Sequence, residues 1–172
     1  MRMPSDVCPP ESRRVRSKRH KLWQSLRLTT NQQSEGVGMT DIKQTLEPRV
    51  LNSKPDALAP DGSEIRLLSR TSRASFCHCT LPPGKVSSAV RHRTIEEIWY
   101  FLQGQGEVWR RLDDQEVTTR VRPGMSLTIP TGADFQFRNT GGEPLTFLIV
   151  TAPPWPGDDE AIRIDDHWED LG

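Results

Sequence analysis

The body of the chain, from about residue 65 onward, consists of short segments in which apolar and polar positions alternate. In chain order these strand-length segments are EIRLLS, ASFCHCTL, EIWYFLQ, GEVWRRL, QEVTTRV, MSLTIP, DFQFRN and PLTFLIVT. Between them lie PPGK, QGQG, LDDQ, RPG, PTG and NTGGEP, which are typical turn sequences. No part of the body has a convincing 3.6-residue period. The pattern therefore predicts an all-β domain, either a sandwich or a closed barrel.

The first 38 residues have a different pattern, with clustered charges, interrupting prolines and almost no apolar periodicity. We predict a disordered basic tail at residues 1–38, with a nucleic-acid-binding arm as the alternative. Met39 is a second candidate start of translation. The remainder divides into an N-terminal extension or linker at 39–63, the β-domain at 64–152, and an acidic C-terminal extension at 153–172.

Charge and cysteine usage narrow the function classes. The formal net charge is zero, but residues 1–38 hold eight Lys and Arg against three Asp and Glu, so the tail is +5 and the rest −5. Bulk charge therefore argues against nucleic-acid binding by the β-domain.

Cys8, Cys77 and Cys79 are an odd number, and a reducing cytoplasm is the simplest interpretation. No apolar stretch has the length of a membrane span or the form of a secretory signal.

Two motifs with fixed spacings lie inside the β-domain. In the first, Gly84 is followed after five residues by Val90, His92 after four residues by Glu97, and Gly104 comes six residues later. The second contains, in order and at matching intervals, Gly124, Pro130, Gly132, Phe135 and Asn139.

The order and spacing of these residues resemble the two-motif signature of the cupins, over about residues 64–152. Within that superfamily the chain looks most like single-domain bacterial cupins of the mannose-6-phosphate-isomerase-like group. The resemblance implies a single jelly-roll barrel of the double-stranded β-helix kind.

The resemblance also implies a degenerate metal site. Metal-binding cupins of this pattern take two histidines and a glutamate from the first motif and a histidine from the second. His92 and Glu97 match two of these positions, but Val90 and Phe135 stand at the other two. A catalytic metal normally has at least three protein ligands, and apolar side chains raise the cost of placing an ion beside them. We therefore expect no tightly bound metal.

A third ligand could come from the preceding strand, SFCHCTL. Alternation places Cys77 and Cys79 on one face and His78 on the other. The Cys-His-Cys spacing matches no closed zinc pattern, so strand packing is the favoured interpretation. If one divalent metal ion is bound, its ligands are His92, Glu97 and, as the candidate third, His78.

The barrel interior follows from residue parity, because Trp99 and Phe101 share the face of Glu97. The predicted ligand pocket comprises Val90, His92, Glu97, Trp99, Phe101, Phe135 and Phe137. An aromatic lining with one imidazole and one carboxylate suits a small organic ligand, and a barrel filled by its own aromatics is the alternative. Arg110 or Arg111, if turned inward, could pair with Glu97 or receive a ligand anion.

The favoured function is a cupin that binds a small organic molecule, sugar-like or carboxylate-like, without a metal. The alternative is a metal-dependent enzyme, a mannose-6-phosphate-isomerase-like isomerase or a dioxygenase, that uses His92 and Glu97. A structural or regulatory role through the tail is a third hypothesis, and no helix-turn-helix pattern supports it. The apolar positions Ile98, Tyr100 and Leu102 form the outward strand face and predict a homodimer. Trp155, in TAPPWPGDDEA, is expected over the barrel mouth or at a dimer contact.

Overall fold

A computed structural model of the chain describes residues 46–169. These residues form strands β1 (Ala57–Leu58), β2 (Glu64–Arg70), β3 (Ser75–Leu81), β4 (Val90–His92), β5 (Glu96–Gln103), β6 (Gly106–Leu112), β7 (Gln115–Val121), β8 (Ser126–Ile129), β9 (Asp134–Asn139), β10 (Leu145–Ala152) and β11 (Ala161–Arg163). All eight segments predicted from the alternation are strands, which confirms the all-β fold. The predicted disorder of residues 1–38 concerns a part of the chain outside the described residues.

The strands form two antiparallel sheets that face each other. The six-stranded sheet has the order β1-β2-β3-β10-β5-β8, and the five-stranded sheet the order β11-β4-β9-β6-β7. The short strands β1 and β11 lie outside the predicted domain limits of 64 and 152, and they pair with β2 and β4. The pairing of β11 with β4 brings part of the predicted acidic C-terminal extension into the second sheet.

Alternation along β5 shows how the sequence directs side chains to the two faces. Glu97, Trp99 and Phe101 are buried, whereas the intervening residues are exposed. The inward residues of both sheets form one apolar core, in which Trp99, Phe101 and Phe147 contact one another. This is the layered packing expected of two sheets with one apolar face each.

The turn between β5 and β6 requires a glycine. Gly104 joins β5 to β6 with a φ of 81°, and a Cβ atom there would lie 2.5 Å from the Pro144 carbonyl oxygen. Both the backbone conformation and the space therefore exclude a larger residue. Asn139 fastens the same end, since its side-chain amide donates to the carbonyl oxygens of Leu81 and Glu143.

Residues 164–168 lie over the outer face of the five-stranded sheet. The His167 ring stacks on Trp109 with centroids 4.6 Å apart, and the Gln136 side chain exchanges hydrogen bonds with the Trp168 backbone. Arg138 lies over the Trp168 ring. The middle of this outer face, on β6 and β9, is thus covered by the chain itself. None of the helical turns in the described part of the chain is long and apolar enough to cross a membrane.

Candidate functional site

The barrel interior has one apolar end and one polar end. At the polar end, strand register places Ser75, Thr151 and Glu97 side by side on β3, β10 and β5. The hydroxyls of Ser75 and Thr151 are hydrogen-bonded to each other. Toward the other end the same strands carry Cys79, Phe147 and their apolar neighbours. A ligand that needs polar contacts would therefore be bound at the end that contains Glu97.

His92 and Glu97 meet at this polar end, as predicted. Their side chains are only 4 % and 5 % exposed, and Nε2 of His92 lies 3.5 Å from Oε1 of Glu97. The other carboxylate oxygen of Glu97 accepts a 2.7 Å hydrogen bond from Nε1 of Trp99, two residues along the same strand face. Glu97 is thereby fixed in orientation, with Oε1 directed toward the imidazole.

The His92 ring has no hydrogen bond although it is buried. Neither Nδ1 nor Nε2 has a hydrogen-bond partner, because the approach to Glu97 lacks hydrogen-bond geometry. Buried polar atoms nearly always have partners, and an unpaired one costs about 1–3 kcal/mol. The His92 imidazole is therefore a buried polar group whose hydrogen-bonding capacity is unused.

Val90 and Phe135 occupy the positions that the metal-binding pattern gives to histidines. They are cross-strand neighbours on β4 and β9, both nearly fully buried, and the Phe135 ring lies 5.0 Å from the His92 ring. No group of three or more His, Cys, Asp or Glu side chains within 46–169 is arranged to hold a metal ion. The donor set at this place therefore does not fit a resident metal, since one imidazole and one carboxylate fall short of three protein ligands.

His78 does not join the predicted site. Its ring lies on the face of β3 opposite to Cys79, beside Thr80 and Arg66. Burial, and next the charge of Arg66, lower the pKa of His78. The two free cysteines Cys77 and Cys79 face the core instead. As expected from alternation, the cysteines and His78 lie on opposite faces of the strand, and the histidine is on the face away from His92.

Asp61 is a site residue that the strand pattern did not reveal. It lies in the turn between β1 and β2. The backbone carbonyl oxygen of Asp61 accepts a hydrogen bond from the amide of Ser88, just before β4. Its carboxylate accepts hydrogen bonds from the amide and hydroxyl of Ser63. Burial raises the pKa of Asp61, and the nearby charge of Glu97 adds to the increase. The turn thus brings a second carboxyl group close to the polar end.

Two residues beside the polar end are partly exposed. Asp61 and Cys77 both keep part of their surface open to solvent, although they lie deep enough for burial to raise the pKa of each, that of Cys77 to about 12. The opposite end differs, because Phe101, Phe137 and Phe147 are at most 1 % exposed and pack together. The predicted pocket residues themselves are buried at both ends, whereas Asp61 and Cys77 give the polar end partly exposed neighbours.

Trp155 covers the polar end from the segment after β10. Its ring meets His92 edge-on with centroids 5.5 Å apart, and its indole Nε1 is buried without a hydrogen-bond partner. The backbone is anchored on both sides, because the Trp155 amide donates to Ser75 Oγ and Arg70 donates to the Trp155 carbonyl oxygen. The sequence predicted a position over the barrel mouth or at a dimer contact, and the structure places the ring beside His92.

Of the two arginines on β6, Arg110 is on the core side. Its guanidinium donates to the Thr128 carbonyl oxygen and the Thr119 hydroxyl, so it links the two sheets and forms no ion pair with Glu97. Arg111 lies on the other face and pairs with Asp134 at 2.7 Å. Neither guanidinium has the contact with Glu97 that the sequence suggested.

Comparison with known proteins supports the class of fold. The family model described as "Cupin domain" matches residues 77–151. A solved structure from Bacillus halodurans has a TM-score of 0.50 at 23 % identity, over 54 % of this chain and 72 % of that one. This likeness concerns the fold alone. The described barrel has the cupin fold.

Two curated proteins are similar in sequence. An uncharacterized protein of Methanocaldococcus jannaschii is 28 % identical over 123 residues, which are 66 % of this chain and 95 % of that protein. The mannose-1-phosphate guanylyltransferase of Klebsiella pneumoniae is 30 % identical over 99 residues, 58 % of this chain. The matching region is only 20 % of that enzyme.

Proposed function

We propose that the cupin barrel binds a small organic molecule, sugar-like or carboxylate-like, at its polar end and without a resident metal. The observation that carries this proposal is the His92 imidazole, which is buried beside Glu97 with both ring nitrogens unpaired. Apolar walls with a few oriented polar groups are typical of small-molecule sites.

The similarity to one region of a mannose-1-phosphate guanylyltransferase supports a sugar-like ligand. It agrees with the resemblance to the mannose-6-phosphate-isomerase-like cupins. The proposal includes a cytoplasmic location, which the free thiols of Cys77 and Cys79 support. Metal-dependent isomerase or dioxygenase chemistry receives no support from the donor set, because Val90 and Phe135 replace two of the four ligands.

A binding screen combined with elemental analysis tests the proposal. Thermal shift is measured for the full chain with aldohexoses, hexose phosphates, hexuronates and C4–C6 carboxylates. We expect at least one class to stabilise the protein, and Glu97→Gln to alter that response. About one iron, zinc, manganese or nickel per chain, lost in His92→Ala, would overturn the proposal in favour of the metal-dependent enzyme.

A further inference from the structure

Two ring systems at the polar end contact each other and have buried, unpaired nitrogens. They are the His92 imidazole and the Trp155 indole, with ring centroids 5.5 Å apart. Within residues 46–169, the indole N–H groups of Trp99 and Trp109 donate to carboxylates, those of Glu97 and Glu116, both at 2.7 Å. Trp155 departs from this pattern, because its Nε1 is buried beside the His92 ring without a partner.

The unpaired nitrogens define the complement of a ligand. An indole N–H only donates, so it requires an oxygen acceptor, and an imidazole offers one donor and one acceptor when neutral. Oε1 of Glu97, 3.5 Å from His92, is an acceptor that needs a donor. The Trp155 N–H, the His92 ring and Oε1 of Glu97 are all satisfied by a ligand that accepts and donates hydrogen bonds at adjacent positions. A vicinal pair of hydroxyl groups has this property.

The charges near the site disfavour an anion. Asp61 and Glu97 are both carboxyl groups, and the charge of Glu97 already contributes to the raised pKa of Asp61. A ligand carboxylate would experience the same repulsion. The guanidinium of Arg110, on the core side, is hydrogen-bonded to Thr128 and Thr119.

We infer that the polar end of the barrel binds a neutral polyhydroxyl molecule of the sugar class, with Trp155 as a recognition residue. The Trp155 N–H and the His92 ring donate to its hydroxyl oxygens, and Oε1 of Glu97 accepts from a neighbouring hydroxyl. This inference rests on the proposed function and narrows it, because it selects sugar-like over carboxylate-like ligands.

Matched pairs of probes test the charge preference. Full-length protein is titrated with D-glucose, D-mannose and D-galactose and with the uronate of each, and binding is measured by saturation-transfer NMR and tryptophan fluorescence. We expect at least one hexose to bind about tenfold or more tightly than its own uronate. A uronate that binds more tightly than its hexose overturns the inference and leaves the proposed function standing. Absence of binding by every hexose, uronate, phosphate and carboxylate probe overturns the proposed function itself.

Two substitutions test the residues. Trp155→Phe keeps an aromatic ring but removes the donor, so hexose affinity should fall about five- to tenfold, the value of one hydrogen bond. Trp109→Phe is the matched control, because that indole is paired with Glu116 on the outer face, and it should leave affinity unchanged. Equal affinity in wild type and Trp155→Phe would exclude Trp155 as a recognition residue.

Glu97→Gln provides an independent measurement that depends on charge. The amide retains an oxygen acceptor but removes a negative charge, so the ratio of hexose to uronate affinity should decrease. An unchanged ratio would contradict the electrostatic part of the inference. Circular dichroism of each variant establishes that the barrel is folded before affinity is compared.

Discussion

Single side chains in this barrel are most informative where their polar atoms lack partners. His92 and Trp155 have buried, unpaired nitrogens, whereas Trp99 uses its indole nitrogen to orient Glu97. The indole N–H thus has a structural role at position 99, whereas at position 155 it is a hydrogen-bond donor without a partner. This contrast can be tested without any ligand.

Replacement of each indole by phenylalanine should affect stability differently. Trp99→Phe removes the donor to Glu97 and leaves a void in the aromatic core, so we expect the free energy of unfolding to fall by about 1–3 kcal/mol or more. Trp155→Phe removes a donor that has no partner, and its cost should be clearly smaller. Urea unfolding of the two variants and the wild type measures the difference. Equal losses would mean that the Trp155 N–H is paired in the unliganded protein.

Asp61 predicts a pH dependence whose sign follows from its raised pKa. In the folded state Asp61 keeps its proton at pH values above its ordinary pKa of 3.8. Between that pH and the folded pKa, the folded protein therefore binds more protons than the unfolded chain. The contribution of Asp61 to stability is therefore present at low pH and lost as pH rises through its folded pKa. Asp61→Asn keeps an acceptor for Ser63 and removes this loss. Unfolding measured from pH 3 to 8 should show the variant gaining on the wild type as pH rises, and a constant difference would contradict the prediction.

At the scale of elements, the segment after β10 returns to the barrel and fastens a turn. The buried carboxylate of Glu160 accepts hydrogen bonds from the amide and hydroxyl of Thr94 and from the amide of Ile95. These two residues connect β4 to β5, the strands that carry His92 and Glu97. Glu160 therefore supports the geometry of the site from outside it.

Glu160→Gln should destabilise the protein in a pH-dependent way. Burial opposes the shift, but hydrogen bonds from Thr94 and Ile95 lower the pKa of Glu160 below its ordinary value of 4.5. Its contribution is therefore complete above that value and lost as pH falls through the folded pKa. We expect Glu160→Gln to cost about 1–3 kcal/mol at neutral pH and less at pH 3, measured by urea unfolding. Asp159→Asn, at an exposed neighbouring side chain, is the control, and a pH-independent cost would refute the assignment.

At the scale of the whole molecule, the outer faces of the two sheets differ. Residues 164–168 cover the middle of the outer face of the five-stranded sheet, but the six-stranded sheet exposes Ile98, Tyr100 and Leu102 by 55 %, 46 % and 42 %. No other part of the described chain covers these three side chains. A contiguous apolar face of this kind is typical of a contact surface.

We expect this face to pair with that of a second copy, giving a homodimer with two-fold symmetry. Tyr100→Lys places a charge in the middle of the apolar face and should yield a monomer in light scattering. Val117→Lys changes a residue of similar exposure on β7, in the other sheet, and should leave the dimer intact. A wild-type protein that is monomeric at every workable concentration would disprove the prediction.

The alternation of the sequence was sufficient to locate the strands and the inward face of each, because the side-chain period of a strand is fixed at two residues. It therefore placed Glu97, Trp99 and Phe101 in the interior. The resemblance to the cupin motifs put Val90 and Phe135 at two positions where metal-binding members have histidines. It did not include β1 or β11, which are two or three residues long and acquire order only from their partner strands.

Only the tertiary structure could place the residues that loops bring to the site. Asp61 and Trp155 reach the polar end through a turn and through the chain after β10, and neither path has a period that can be read from local sequence. The destination of Arg110 is likewise set by backbone and hydroxyl oxygens of β8 and β7, which become its neighbours when the sheets close. Strand periodicity is a local property of the backbone, whereas these contacts join residues far apart in sequence and exist only when the barrel has formed.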